Sequence, residues 1–138
     1  MSSFTAAIIV IGDEILSGRT QDTNSNFMAK NLLEVGIKLE EIVIIKDHKQ
    51  TIIDRVLNYS EKYSYVFTTG GIGPTHDDIT SESISSAFNL EYVINQEAFK
   101  ILNNYYPKGE FNESRQRMAK MPIGSDLILN PMTAAPGF

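Results

Sequence analysis

The chain has 138 residues, 42% of them hydrophobic and 21% charged, with a formal net charge of −5. That length gives one domain room for a core, and the acidic balance, with Lys and Arg scattered, excludes the basic stripe of a nucleic-acid binder. No apolar run approaches the ~18 residues of a membrane helix, and the absence of cysteine excludes disulfides, thiolate metal ligands and a cysteine nucleophile.

The N-terminus, MSSFTAAIIVIG, lacks the basic start and small-residue cleavage site of a signal peptide, so a cytoplasmic location is expected. Residues 6–12 are a continuous apolar run, as for a strand buried on both faces. A polar loop follows, and then residues 24–35 read as a helix with Phe27, Met28, Leu32 and Val35 near one face. Gly36 stands where a helix-terminating glycine belongs. Residues 41–45 form a second strand. Residues 50–62 form a second helix with the stripe Ile52, Ile53, Val56 and Leu57. A third strand covers 65–69, and a third helix covers 80–88 with Ile84 and Phe88 inward. Beyond Leu90 the pattern predicts a short strand over 91–94, a helix over 96–105 stopped by Pro107, a loop at 108–110, a helix over 113–120 and a strand over 126–129.

Strand–helix alternation of this kind gives an α/β fold with a mainly parallel sheet, helices on both faces and right-handed crossovers. The tail NPMTAAPGF reads as an interior loop, so the single domain 1–138 is expected to be cut short at its C-terminus.

In open α/β sheets, ligands sit beyond the carboxyl ends of the strands, which here brings three loops together. They carry Gly12-Asp13-Glu14 with Asp22-Thr23-Asn24, then Lys46-Asp47-His48, then TTGGIGPTHDDIT from Thr68 to Thr80. Gly70, Gly71 and Gly73 permit close backbone approach at a helix start, as for a bound anion. The loop has neither the Lys-Ser/Thr of a Walker loop nor G-x-G-x-x-G spacing. Asp77, Asp78 or Thr80 could cap the following helix. Two adjacent aspartates, with Glu14 and Asp47 on the other loops, are better explained by a divalent cation between carboxylates and phosphate. His76 and His48 stand as ligands or as solvated loop side chains. Asn24 either caps its helix or reaches the ligand. The tyrosines Tyr63, Tyr65, Tyr105 and Tyr106 read as packing and surface.

The stretch Thr68 to Thr80 resembles the TTGG-x-GP-x-x-D-D-x-T signature of molybdopterin-binding domains, and most resembles the amino-terminal domain of the competence/damage-inducible CinA family. Ile11-Gly12-Asp13-Glu14-Ile15-Leu16-Ser17-Gly18, Asp22-Thr23-Asn24 and the tail Asn130-Pro131 to Phe138 are similar to further segments of that family. The resemblance implies a three-layer α/β/α fold and a homo-oligomer. It implies metal-assisted chemistry at Asp47 and Asp78, and the carboxylates themselves lead to the expectation of Mg²⁺ or a similar ion at Asp77, Asp78 and Glu14. A nucleotide or pterin phosphate ligand would lie against Gly12, Asn24, Thr69, Gly70, Gly71 and Gly73. In the CinA branch the resemblance implies cleavage of ADP-ribose-type pyrophosphates; in the adenylyltransferase branch, nucleotidyl transfer; a related domain is fused to eukaryotic FAD synthase. A non-catalytic nucleotide-binding module is the third expectation. Two departures stand out: Thr133 replaces the family's glycine, and the later L-P-G-V-P-x-E-M-like loop is absent from these 138 residues.

Overall fold

The apolar run after Phe4 forms β1 (Thr5–Ile11), in which the side chains of residues 6–11 are no more than 3% exposed. Burial on both faces is what a central strand of a parallel sheet requires. The computed structural model describes residues 3–138, which divide into two compact units, one ending at Gly70 and one running Gly71–Phe138. Among the described residues no helix is long and apolar enough to cross a membrane.

In the first unit, β1 pairs in parallel with β2 (Lys38–Ile45) on one side and β3 (Tyr65–Thr69) on the other, giving the order β2-β1-β3. β2 begins three residues before the expected strand, because Lys38 already donates its N–H to the Phe4 carbonyl at 3.0 Å. The polar loop after β1 holds a one-turn helix, α1 (Asp13–Leu16), absent from the sequence expectation.

The next helix, α2 (Asn24–Glu34), buries Ser25 and Leu32 and leaves Phe27 and Val35 exposed. The expected stripe is thus rotated: positions seven apart share a face, and Phe27 and Val35 fall on its flank. Then α3 (Lys49–Lys62) packs on β1 and β3 through Ile52, Val56 and Tyr59, at i, i+4 and i+7. Its end is tied to β2: the Tyr63 hydroxyl donates to Glu41, which also lies 3.7 Å from the Lys62 ammonium. The Tyr63 hydrogen bond is the main reason the Glu41 carboxyl is held below its ordinary range.

In the second unit, α4 (Thr80–Ala87) lies against β4 (Tyr92–Ile94) and β5 (Lys120–Pro122), which pair antiparallel. Its buried face is Thr80, Ser83, Ser85 and Ala87, whereas Phe88 is exposed, contrary to the expectation of Ile84 and Phe88 inward. Small side chains allow the close approach. The serine hydroxyls are satisfied on the helix itself, Ser83 donating to the Ile79 carbonyl at 2.7 Å and Ser85 to that of Ser81 at 3.0 Å.

Asn95 caps α5 (Gln96–Tyr105), accepting from the Ala98 N–H at 2.9 Å, and the helix ends ahead of Pro107. The helix expected over 113–120 is shorter. α6 (Glu113–Gln116) passes into a 3₁₀ turn (Arg117–Ala119), because Lys120 must already be extended to pair with Ile94. No strand forms over 126–129. Ile128 makes one antiparallel bridge with Gly137, and Pro131 and Pro136 lack the N–H groups a longer ladder would need. The core of this unit joins Ala98 and Leu102 of α5 to Met118, Ala119 and Met121, with Phe99, Phe111 and Phe138 around them.

Candidate functional site

In the first unit, the carboxyl ends of β1, β2 and β3 bring together most of the residues expected there. Gly12 continues β1, donating its N–H to the Ile45 carbonyl at 3.0 Å. Asp13 and Asp47 then bind reciprocally. The Asp13 N–H donates to Asp47 Oδ2 at 3.1 Å, and the Asp47 N–H donates to Asp13 Oδ1 at 3.2 Å. Each carboxylate thus fixes the other's loop across 34 positions of sequence. Glu14 folds back over Gly12, where a Cβ would stand 2.6 Å from Oε1. Beside it opens a cleft of about 220 Å³ lined in part by Glu14, Asp22, Asn24, Thr69 and Gly70.

Asn24 does not cap α2. The first helical position is its own, and Asp22 Oδ1 accepts from the Ser25 N–H at 3.2 Å, so Asn24 is left to the cleft. His48 is a cap rather than a ligand: Nδ1 accepts from the Thr51 N–H at 3.4 Å and lies 2.9 Å from Thr51 Oγ1. Gly70 has φ +92°, and a Cβ there would lie 2.1 Å from the Ile11 carbonyl oxygen, so no other residue fits.

The second unit holds the rest of the glycine-aspartate loop. Gly71, at φ +72°, leaves room for the buried Thr80 hydroxyl, which a Cβ would approach to 2.1 Å, and its carbonyl accepts the Thr80 N–H at 3.0 Å. Gly73 leaves room for the Asp78 carboxylate. Asp78 Oδ2 accepts from the Thr75 N–H at 2.9 Å and the Thr75 hydroxyl at 2.8 Å, while the Asp78 N–H donates to the Thr75 carbonyl at 3.1 Å.

None of Asp77, Asp78 and Thr80 caps α4 by its side chain; the cap position is Ile79. Asp77 and His76 are solvent-facing and lie 3.4 Å apart, an exposed pair of little energetic weight. Two residues at this loop escaped the sequence reading. Thr75 had a visible signal, since a hydroxyl three residues before an aspartate suits a side-chain-closed turn. Arg117, which donates to the Thr75 and Asp78 carbonyls, lies 42 and 39 positions away in sequence, with no local pattern to mark it.

Among the described residues no three His, Asp or Glu side chains gather as a ready cation cage. Mg²⁺ is ordinarily held by one or two carboxylates with substrate phosphate and water. Each unit holds a carboxylate suited to that form: Glu14 lines the cleft of the first unit, and in the second Asp78 Oδ1 takes no part in the Thr75 bonds.

Comparison with known proteins shows the family and the fold. Residues 7–138 match the family described as "Probable molybdopterin binding domain". A CinA-like protein from Sulfurihydrogenibium sp. is 38% identical over 135 residues, covering 96% of this chain and 34% of its own. A probable FAD synthase from Caenorhabditis briggsae is 43% identical over 103 residues, covering 75% of this chain and 20% of its own. The crystal structure of the protein CinA, of unknown function, from Thermoplasma acidophilum superposes with a TM-score of 0.91 at 30% identity, covering 98% of this chain and 80% of that one. The chain spans between 32% and 56% of the length of the curated relatives that match nearly all of it. Its fold is three-layer α/β/α with a parallel sheet, and the chain belongs to the molybdopterin-binding domain family, in its CinA-like branch.

Proposed function

We propose that this domain hydrolyses the pyrophosphate bond of a nucleotide diphosphate such as ADP-ribose, with a divalent ion. The observation that carries the reading is the Asp13–Asp47 pair, which fixes a carboxylate beside a strand end instead of leaving it to wander in solvent. Asp47 would orient the attacking water and take its proton as oxygen bonds to phosphorus. The bridging P–O bond then breaks, giving AMP and ribose 5-phosphate. In the first unit Gly12, Asn24, Thr69 and Gly70 would lie against the ligand, and in the second Gly71 and Gly73 are the phosphate-binding candidates. For the ion, Glu14 is the candidate ligand in the first unit, and Asp77 and Asp78 are the candidates in the second. When bound, Mg²⁺ supplies neutralisation of the phosphoryl oxygens. The similarity to a probable FAD synthase supports a nucleotide ligand.

A second reading, a pterin-binding or adenylyl-transferring domain, is favoured by the description of the family itself. AMP release from ADP-ribose, with Mg²⁺ and with a chelator, separates the two. AMP formed only with the metal is the expected result. ADP-ribose left intact, with thermal stability raised by a molybdopterin ligand, would support the second reading instead.

A further inference from the structure

The turn that carries Asp78 is held from outside its own segment by a cation. Thr75 and Asp78 close the turn with three hydrogen bonds, which direct one carboxylate oxygen inward. Closing it turns two carbonyls, those of Thr75 and Asp78, the same way. Arg117 receives both: Nη1 donates to the Thr75 oxygen at 2.9 Å and Nη2 to the Asp78 oxygen at 3.4 Å.

The base of this side chain is fixed. Its neighbours Met118 and Ala119 are buried in the core of the second unit, the Ala119 carbonyl accepts from the Asn95 N–H at 2.8 Å, and Lys120 is paired with Ile94. A guanidinium presents two coplanar donors at the spacing two carbonyls need, whereas an ammonium is a point charge that serves one at a time. It also places a positive charge beside a turn carrying two adjacent carboxylates, where none is supplied locally.

We propose that Arg117 is a positioning residue for Asp78, acting through the Thr75–Asp78 turn and not on substrate. The effect on catalysis rests on the pyrophosphatase reading above; the effect on the turn does not. The test compares wild type, Arg117→Met and Arg117→Lys by residue-resolved amide hydrogen exchange and by kcat and KM for ADP-ribose with Mg²⁺. Arg117→Met is expected to speed exchange at the Thr75 and Asp78 amides about tenfold or more, with the amides of Phe99 and Leu102 in α5, in the same unit, unchanged as the control for folding. It is also expected to lower kcat about tenfold or more with KM nearly constant, as for a displaced catalytic group. Arg117→Lys restores the charge but not the fork, and so recovers only part of each effect.

Unchanged exchange at Thr75 and Asp78 in Arg117→Met would overturn the proposal. So would Arg117→Lys behaving as wild type, since charge alone would then suffice. If wild type leaves ADP-ribose intact, the pyrophosphatase reading fails by itself and the exchange rates still decide the role of Arg117.

Discussion

Gly70 shows how a residue chosen for backbone reasons can look like a ligand residue. Its positive φ and the Ile11 carbonyl 2.1 Å from a would-be Cβ explain the glycine before any phosphate is invoked. Gly70→Ala should therefore destabilise the fold by at least about 2 kcal/mol, through strain and a clash with backbone that cannot swing aside. Ala134 is the converse case, a residue with a side chain at φ +62°. Ala134→Gly should stabilise by about 1 kcal/mol. Urea unfolding of both variants measures the two signs; a neutral Gly70→Ala would mean that the loop relaxes away from β1.

Among elements, β2 and the end of α3 are joined by a polar contact. Glu41 accepts from the Tyr63 hydroxyl, which lowers its pKa, with Lys62 adding to the effect. A carboxyl whose pKa is depressed by folding contributes stability above its unfolded value, and that contribution is lost as the pH falls through the folded value. Tyr63→Phe should accordingly lower Tm at neutral pH, and the gap from wild type should close as the pH drops below the ordinary carboxylate value of 4.5. A gap constant across that range would show that the hydroxyl acts through packing alone. The sequence announced β1 by a continuous apolar run and α3 by its helical spacing, patterns that tertiary packing only had to accept. It misassigned the inward face of α4, where serine and threonine are buried because close helix–strand approach outweighs their polarity. It missed β5 altogether, because Lys120–Pro122 is too short to show a period, and its pairing with β4 is a long-range choice. In the candidate site, Asp47, Asp78 and the glycines were visible as types in a motif. Their partners Asp13 and Arg117 were not singled out, because hydrogen bonds across 34 to 42 positions leave no local trace.

For the whole molecule, a family match over residues 7–138 and the TM-score of 0.91 with a CinA protein make the fold a shared one. What the chain adds is a specific set of ties. Asp47 is locked to Asp13 in the first unit, and Asp78 is locked to Thr75 and reached by Arg117 in the second. Carboxylates so constrained suit chemistry better than solubility, because a surface charge kept only for hydration has no need of a fixed orientation. The measurement that tests this most directly is AMP release from ADP-ribose with Mg²⁺ by wild type and Asp47→Asn side by side, with urea unfolding of each as the control for folding. The predicted result is turnover by wild type and a loss of about 10²–10⁴-fold in the variant at nearly unchanged stability, the range expected when a general base is removed. Equal rates from the two proteins would contradict the role given to Asp47.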